Sequence, residues 1–248
     1  MKNRGLELEN ELINHINNKY FNDLNENIKK FLLIIYENKI DKSEPFLVKK
    51  FYNNYKPDIV ITHNKIKKFV SIKSGKSCSI HQEHIYSFIN FLNDINCPSN
   101  IIENLKLFHF NDGSINGNGK NRKSAMDFQE NNSEKINEIN SFFNNEDIKE
   151  KIVTRTLFEG EYFGIPVVDY IYYGNLEKGI CASKEKIINY LKSKHVYSAS
   201  IHVSKLYYQS LHRNLKFELE HEYRRYYIQF KWYSIEEDLK EIIKSKKV

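Results

Sequence analysis

The chain has 248 residues, a net charge of +6 and a sequence pI near 8.9, with 40% hydrophobic and 28% charged residues. This composition is ordinary for a globular protein that buries a core, and the basic balance favours a polyanionic partner without establishing one. No apolar run reaches the roughly 18 residues of a membrane-spanning helix, and the N-terminus lacks an apolar signal core, so we expect a cytoplasmic protein with no membrane partner.

The first third of the chain predicts helices on either side of a strand pair. An apolar stripe predicts an amphipathic helix over residues 5–20, and residues 31–36 fit either a helix or a strand. Residues 57–62 and 68–73 are rich in β-branched side chains and predict two strands. Residues 80–93 place apolar side chains on one face and predict a helix. The stripe of the first helix consists of Leu12, Ile13 and Ile16.

The rest of the chain predicts a long loop, helices and then a β-rich end. Residues 111–124 combine glycine, asparagine and serine and form the clearest loop. Helical patterns occur around residues 133–152, 183–194 and 235–247. Strand-like alternation occurs at residues 197–203, 205–209, 215–219 and 226–233. The scattered cysteines contain no CxxC pair, which argues against a disulfide framework and a structural zinc site.

The two predicted strands at 57–73 form a hairpin with a defined pairing. A turn at residues 63–66 places Asp58 opposite Ser71, and Lys73 then lies on the same face, one diagonal step away. The opposite face takes Ile59, Ile61, Val70 and Ile72. The hairpin therefore brings a carboxylate and an amine together on one side of a sheet.

This pairing of Asp58 with Lys73 has a chemical use. A carboxylate is a hard oxygen ligand for Mg²⁺, and a lysine can orient an attacking water or offset charge on a phosphoryl transition state. The alternative is an ordinary cross-strand ion pair, which is common in sheets.

Glu9 stands on the apolar stripe of the first predicted helix, whereas Glu7 and Glu11 fall among polar neighbours. A buried carboxylate needs a cation or a donor, and a Mg²⁺ site would supply one. The alternative is a position in the first helical turn, where acidic side chains suit the helix dipole.

Together these residues resemble the PD-(D/E)xK nuclease superfamily, which includes many type II restriction endonucleases. The resemblance covers about residues 5–93 and is carried by Gly5-x-x-x-Glu9, Pro57-Asp58 and Ser71-Ile72-Lys73. It implies an α/β fold, namely a restriction-endonuclease-like mixed central sheet flanked by helices. It also implies a Mg²⁺ cofactor, with Asp58 as main metal ligand, Glu9 and the Ile72 carbonyl as further ligands, and Lys73 as catalytic lysine.

The sequence departs from the superfamily pattern at Ser71, where most members have Asp or Glu. A serine hydroxyl is a weak Mg²⁺ ligand that acts through water, and Glu83 or Glu37 are the alternatives for a missing acid. Superfamily members often place a supporting polar residue on the helix after the hairpin, which here suggests Gln82 or His81. His81 and His84 lack zinc-protease spacing and a third ligand.

Two regions are candidates for DNA binding. The loop 111–124 ends in basic residues that could contact phosphates, although a solvated surface loop is the alternative. The β-rich C-terminal end places glutamine and arginine, which read adenine and guanine edges, beside aromatic residues; a solvated strand face is the alternative. The candidates are Lys120, Arg122, Lys123, Gln209, Arg213, Arg224, Arg225 and Lys231.

We therefore predict a single nuclease domain over residues 1–248. Its catalytic core spans 1–110, a mobile DNA-contact loop 111–124, and a β-rich DNA-recognition subregion 195–248. The expected function is that of a type II restriction enzyme that cleaves double-stranded DNA, with a cognate DNA methyltransferase as genetic partner and a homodimer allowed. The alternatives are a structure-selective repair or recombination nuclease and a catalytically decayed DNA-binding module.

Overall fold

The structure is a computed structural model that describes residues 4–51, 55–75, 79–120, 122–161, 166–211 and 219–245. Its contacts divide the chain into two compact units. Unit 1 comprises Met1–Cys78, Leu157–Tyr190 and Ser234–Val248, and unit 2 comprises Ser79–Thr156 and Leu191–Tyr233. Residues 79–110 of the predicted core thus belong to unit 2, and single-domain behaviour of the whole chain stays a prediction.

The chain is a mixed α/β protein in which helices and strands alternate irregularly. The helices are α1 (Arg4–Ile16), α2 (Glu26–Ile35), α3 (Ile85–Asp94), α4 (Ser99–Phe110), α5 (Ala125–Asn131), α6 (Ser133–Phe143), α7 (Glu146–Thr154), α8 (Lys184–Ser193) and α9 (Ile235–Lys244). The strands are β1 (Leu47–Lys50), β2 (Ile59–His63), β3 (Ile66–Lys73), β4 (Ser79–His84), β5 (Tyr170–Gly174), β6 (Gly179–Ser183), β7 (His202–Val203), β8 (Leu206–Ser210) and β9 (Tyr227–Lys231).

Each unit contains one sheet. Unit 1 has a five-stranded mixed sheet in the order β1-β2-β3-β5-β6, in which β3 and β5 run parallel and the other neighbours run antiparallel. Unit 2 has a four-stranded antiparallel sheet in the order β4-β9-β8-β7. The fold class predicted from the sequence is therefore confirmed at the level of a mixed α/β protein with helix-flanked sheets.

The β2–β3 hairpin has the predicted register. Ile59 pairs with Val70 and His63 with Ile66. The two-residue turn between them has positive φ at Asn64 (48°) and Lys65 (65°). A tight two-residue hairpin turn requires such positive values at both central residues, because this conformation matches the right-handed twist of the flanking strands. The turn thus fixes which residues of the two strands share a face.

One face of this hairpin belongs to the hydrophobic core of unit 1. The strand residues that contribute to this core are Ile59, Ile61, Val70 and Ile72, as predicted. They join Leu8, Leu12 and Ile16 of α1 and the buried face of α2, namely Ile28, Phe31, Leu32 and Ile35. Residues 31–36, which fitted either a helix or a strand, thus end α2.

Unit 2 has its own buried core and a buried polar cluster beneath β4. Phe88 of α3 packs against Phe230 of β9, with ring centroids 5.6 Å apart. Glu83 of β4 is fully buried and accepts hydrogen bonds from Arg155 Nη2 at 2.6 Å and Nε at 3.1 Å. His81 Nε2 lies 2.9 Å from the same carboxylate. The paired charges make burial of Glu83 tolerable.

The structure corrects several sequence predictions. The predicted helix over 80–93 is wrong for residues 80–84, which lie in β4; the helix begins at Ile85 after His84 accepts a hydrogen bond from Tyr86 N. The sequence patterns did not predict β1, β5 and β6. The predicted strand at 197–203 shortens to β7, and residues 215–218 lie outside the described residues. Among the helices that the structure describes, none has the length and apolar character needed to cross a bilayer.

Glu83→Gln tests the buried cluster. Burial alone would raise the pKa of Glu83, but the hydrogen bonds and charges of His81 and Arg155 outweigh it and hold the pKa below its ordinary 4.5. A lowered folded-state pKa contributes stability that is present above pH 4.5 and is lost as the pH falls through the folded-state value. The variant should lose about 3–5 kcal/mol of unfolding free energy near neutral pH, because the buried charge of Arg155 loses the carboxylate that balances it.

Urea unfolding at a series of pH values measures both effects. Glu150→Gln is the control, since Glu150 pairs with Lys192 near the surface of the same unit and should cost less than about 1 kcal/mol. Equal losses in the two variants, or an unchanged acid slope in Glu83→Gln, would contradict the assignment.

Candidate active site

Asp58 precedes β2 and is fixed by both neighbouring strands. Its backbone N–H donates to Val70 O at 2.9 Å, and its carbonyl accepts from Phe51 N at 3.0 Å. Because Ile59 pairs with Val70, the side chain of Asp58 stands on the face of Ser71 and Lys73, opposite to the helix-packed face. The backbone of three strands therefore sets the position of one carboxylate.

One oxygen of that carboxylate accepts hydrogen bonds from three donors of β3. Asp58 Oδ2 accepts from Ser71 Oγ at 2.9 Å, from Ile72 N at 2.5 Å and from Lys73 Nζ at 3.2 Å. Lys73 Nζ also donates to Ile72 O at 3.1 Å. Among the described residues, the donors that reach this carboxylate all do so at Oδ2, so its second oxygen is left to other ligands.

The site is half-buried, which strengthens its electrostatics. The side chains of Asp58 and Lys73 are 24% and 16% exposed, and Ser71 is fully buried. An ion pair in this setting is screened less than one on the open surface. The predicted juxtaposition of carboxylate and amine on one face is therefore present, and a ligand can still reach both groups.

Glu9 lies in the second turn of α1 and not at a frayed first turn. It forms an ion pair with Lys50 at the end of β1, at 2.8 Å, and both side chains are 16% exposed. Lys50 pairs with Ile59, the residue after Asp58, so the ion pair lies beside the start of β2. The cation that the position of Glu9 called for is supplied by Lys50, which the sequence analysis did not identify.

The oxygen atoms around Asp58 suit a hard cation. A carboxylate, the Ile72 carbonyl and the Ser71 hydroxyl are oxygen donors, and Mg²⁺ commonly binds through one or two carboxylates with waters and phosphate oxygens completing its shell. Within the described ranges, no three His, Cys, Asp or Glu side chains cluster closely enough to hold a metal. The donor set therefore fits Mg²⁺ bound through Asp58 and a substrate phosphate better than a metal held by the protein alone.

Both proposed substitutes for the missing acid at Ser71 contact other residues. Glu83 is enclosed in unit 2 by Arg155 and His81. Glu37 stands exposed just after α2 with φ 53°, 3.9 Å from Lys39. The hydroxyl of Ser71 thus remains a donor to Asp58.

Two of the arginines predicted to contact DNA, Arg122 of the loop 111–124 and Arg225 of the C-terminal region, make contacts within the protein. Arg122 donates to His109 O at 2.7 Å and to Phe110 O at 3.1 Å, at the end of α4. Arg225 donates to Asp112 at 2.6 Å, and the two side chains are 8% and 0% exposed. Burial, together with nearby Arg225, lowers the pKa of Arg122 to about 10, while Tyr208 and Asp112 oppose this shift.

The remaining predicted DNA contacts lie on the surface or outside the described residues. Lys120 and Lys123 are exposed on the loop. Gln209 and Lys231 are half-exposed on β8 and β9, and Arg224 is half-exposed before β9. Of the predicted supporting residues, Gln82 is exposed on β4 and His81 is buried. Arg213 lies outside the described residues.

A double-mutant cycle tests whether Lys50 is the partner of Glu9. Glu9→Gln and Lys50→Met should each destabilise unit 1, with a coupling free energy of about 1 kcal/mol in urea unfolding. Lys49→Met is the matched control, because Lys49 is exposed and points to the other face of β1. Coupling as large with Lys49 as with Lys50 would contradict the ion pair.

Comparison with known proteins identifies no family for this chain: no protein-family model and no curated protein matches the sequence.

Proposed function

We propose that the chain is a Mg²⁺-dependent endonuclease of double-stranded DNA with a restriction-endonuclease-like core in unit 1. The observation that carries the proposal is the contact of Lys73 Nζ with Asp58 Oδ2 at 3.2 Å on a half-buried hairpin face. The core-facing side of the same hairpin packs on α1 and α2, as expected for such a core. The net charge of +6 suits a polyanionic substrate.

The residues of the site have separate roles in the proposed phosphodiester hydrolysis. Asp58 and the Ile72 carbonyl would hold Mg²⁺, which polarises a phosphate and makes bound water more acidic, while the Ser71 hydroxyl donates to Asp58. Lys73 orients the attacking water, and its charge offsets the negative charge that develops on the phosphate. The water oxygen loses a proton and bonds to phosphorus as the bond to the 3′ oxygen breaks, and the leaving oxygen takes up a proton, which yields a 5′ phosphate and a 3′ hydroxyl.

A restriction enzyme is favoured over a structure-selective nuclease because unit 2 offers a second sheet for base contacts. A decayed DNA-binding module is the other candidate, and Ser71 in the place of an acid favours it. Digestion of unmethylated plasmid and phage DNA tests for restriction, which discrete bands indicate. Cleavage of branched substrates alone indicates a structure-selective enzyme, and binding without cleavage indicates a decayed module.

Lys73→Ala should lower the cleavage rate by about 10²-fold or more, because an electrostatic donor at the reacting phosphate is lost. Lys67→Ala is the matched control: Lys67 stands on the same strand and face but is exposed near the turn. Initial rates on a cleaved plasmid measure both variants. Equal rates for Lys73→Ala and the wild type would remove Lys73 from the mechanism and favour the decayed module.

Ser71→Asp tests the proposed cation site by a measurement other than activity. The new carboxylate would stand next to Asp58, so the two charges should repel and lower the melting temperature in EDTA. Added Mg²⁺ should restore more stability to this variant than to the wild type, because binding to the folded state stabilises it. Ser71→Asn is the uncharged control. An identical Mg²⁺ response in Ser71→Asp and Ser71→Asn would argue against a cation site at Asp58.

A further inference from the structure

Unit 2 contains an open cavity of ≈ 680 Å³ that borders its sheet. This volume falls in the range of pockets that bind small organic molecules or single nucleotides. The lining is drawn from β4, β8 and β9 together with residues of α4, α5 and the segment before β7. It lies entirely within unit 2.

The cavity collects every glutamine in the protein. The 248-residue sequence contains four glutamines, Gln82, Gln129, Gln209 and Gln229, and all four line this one cavity. Asparagine, by contrast, is abundant and scattered along the chain. The scarcity of glutamine elsewhere points to a specific use of its longer amide at this place.

Three of the glutamines form a row across the sheet. Gln229 of β9 pairs with Gln82 of β4 on one side and with Gln209 of β8 on the other. Residues paired in register on neighbouring strands share a face, so the three amides stand side by side. The strands position these amides more firmly than loops would.

Three of the four amides are already oriented by a hydroxyl group. Gln209 Nε2 donates to Tyr233 OH at 2.7 Å, and Gln229 Nε2 donates to Ser79 Oγ at 2.8 Å. Gln129 Nε2 donates to Ser200 Oγ at 3.0 Å. These contacts occupy one N–H of each amide and leave its carbonyl oxygen and its second N–H for a ligand.

The surroundings of the amides suit a nucleic-acid base. The described lining residues include one cation, Lys231, and no carboxylate. Tyr207 and Tyr233 flank the row with ring centroids 5.6 Å apart, and Lys231 Nζ stands 5.7 Å from the centre of the Tyr233 ring. Aromatic rings stack on bases, and a lysine binds phosphate.

From this arrangement we infer that the glutamine-lined cavity binds an adenine base of DNA. A glutamine amide reads adenine in a bidentate manner: its oxygen accepts from N6 and its nitrogen donates to N7. Lys231 contacts the backbone and contributes affinity without base preference. The inference rests on the proposed function for its choice of DNA as the ligand, but not on cleavage.

Binding in EDTA tests the inference without catalysis. Full-length protein is incubated with a duplex library that has a randomised centre, bound DNA is sequenced, and fluorescence anisotropy measures affinity for single-stranded oligo(dA), oligo(dT) and oligo(dC). We expect the wild type to enrich adenine at one or more positions. Enrichment in duplex DNA with equal affinity for the single strands indicates groove reading, and preference for oligo(dA) indicates an extruded or unpaired base.

Two near-isosteric variants separate base reading from charge. Gln209→Met with Gln229→Met should reduce the adenine preference about tenfold or more while leaving binding to other sequences near the wild-type level. Lys231→Met should weaken binding to all sequences alike and lower its salt dependence. Asn90→Met, at an exposed amide of α3 outside the cavity, is the control for the loss of an amide.

The outcomes decide the inference separately from the proposed function. No base preference in the wild type, a preference for another base, or an adenine preference that survives in the double variant would overturn the inference. Lys73→Ala should keep the adenine preference, since its site is not part of the cavity. Adenine-selective binding without Mg²⁺-dependent cleavage would leave the inference intact and overturn the nuclease proposal.

Discussion

The acceptor oxygen of Asp58 is the point on which the candidate site depends. Three donors from β3 reach it, and they do so because a two-residue turn fixes the register of the hairpin. A slip of one residue would turn Lys73 to the opposite face of the sheet. The parallel pairing of β3 with β5, which sets Lys73 beside Tyr173, holds the strand from its other edge as well. The site is thus a consequence of sheet pairing more than of any single side chain.

Local patterns in the sequence predicted the parts of the fold that local forces decide. The apolar stripe of α1 and the β-branched hairpin each depend on a few residues that are close in sequence, and both were predicted. Residues 80–84 were predicted as helix because the apolar pattern of α3 continues into them. They form strand β4 because they pair with β9, which is distant in sequence, as in the pair Gln82 and Gln229. β5 was missed because a strand buried on both faces has no alternation of polar and apolar residues to recognise, and the short edge strand β6 shows no alternation either.

For the site, the sequence indicated that a buried acidic side chain needs a partner of opposite charge, but it did not identify that partner. Glu9 on an apolar stripe was expected to need a cation. In the structure this cation is Lys50, which lies on the short strand β1 that the sequence patterns did not predict. Arg122 and Arg225 were predicted to contact DNA, and in the structure Arg122 donates to carbonyl oxygens at the end of α4 and Arg225 donates to Asp112. Basic composition alone cannot separate these uses, because partner groups brought close only by folding decide them.

The two acid–lysine pairs give the proposed chemistry an order of events. Asp58 and Lys73 balance each other, as do Glu9 and Lys50, so the site carries little net charge before a substrate arrives. Under the proposed function, a DNA phosphate would compete for Lys73 with a carboxylate that is already hydrogen-bonded to Ser71 and Ile72. Phosphate contact with Lys73 would weaken the hydrogen bond between Lys73 and Asp58 and so make the carboxylate a better cation ligand. Cation and DNA affinity would then be coupled through one side chain, and by linkage the coupling would be the same in both directions.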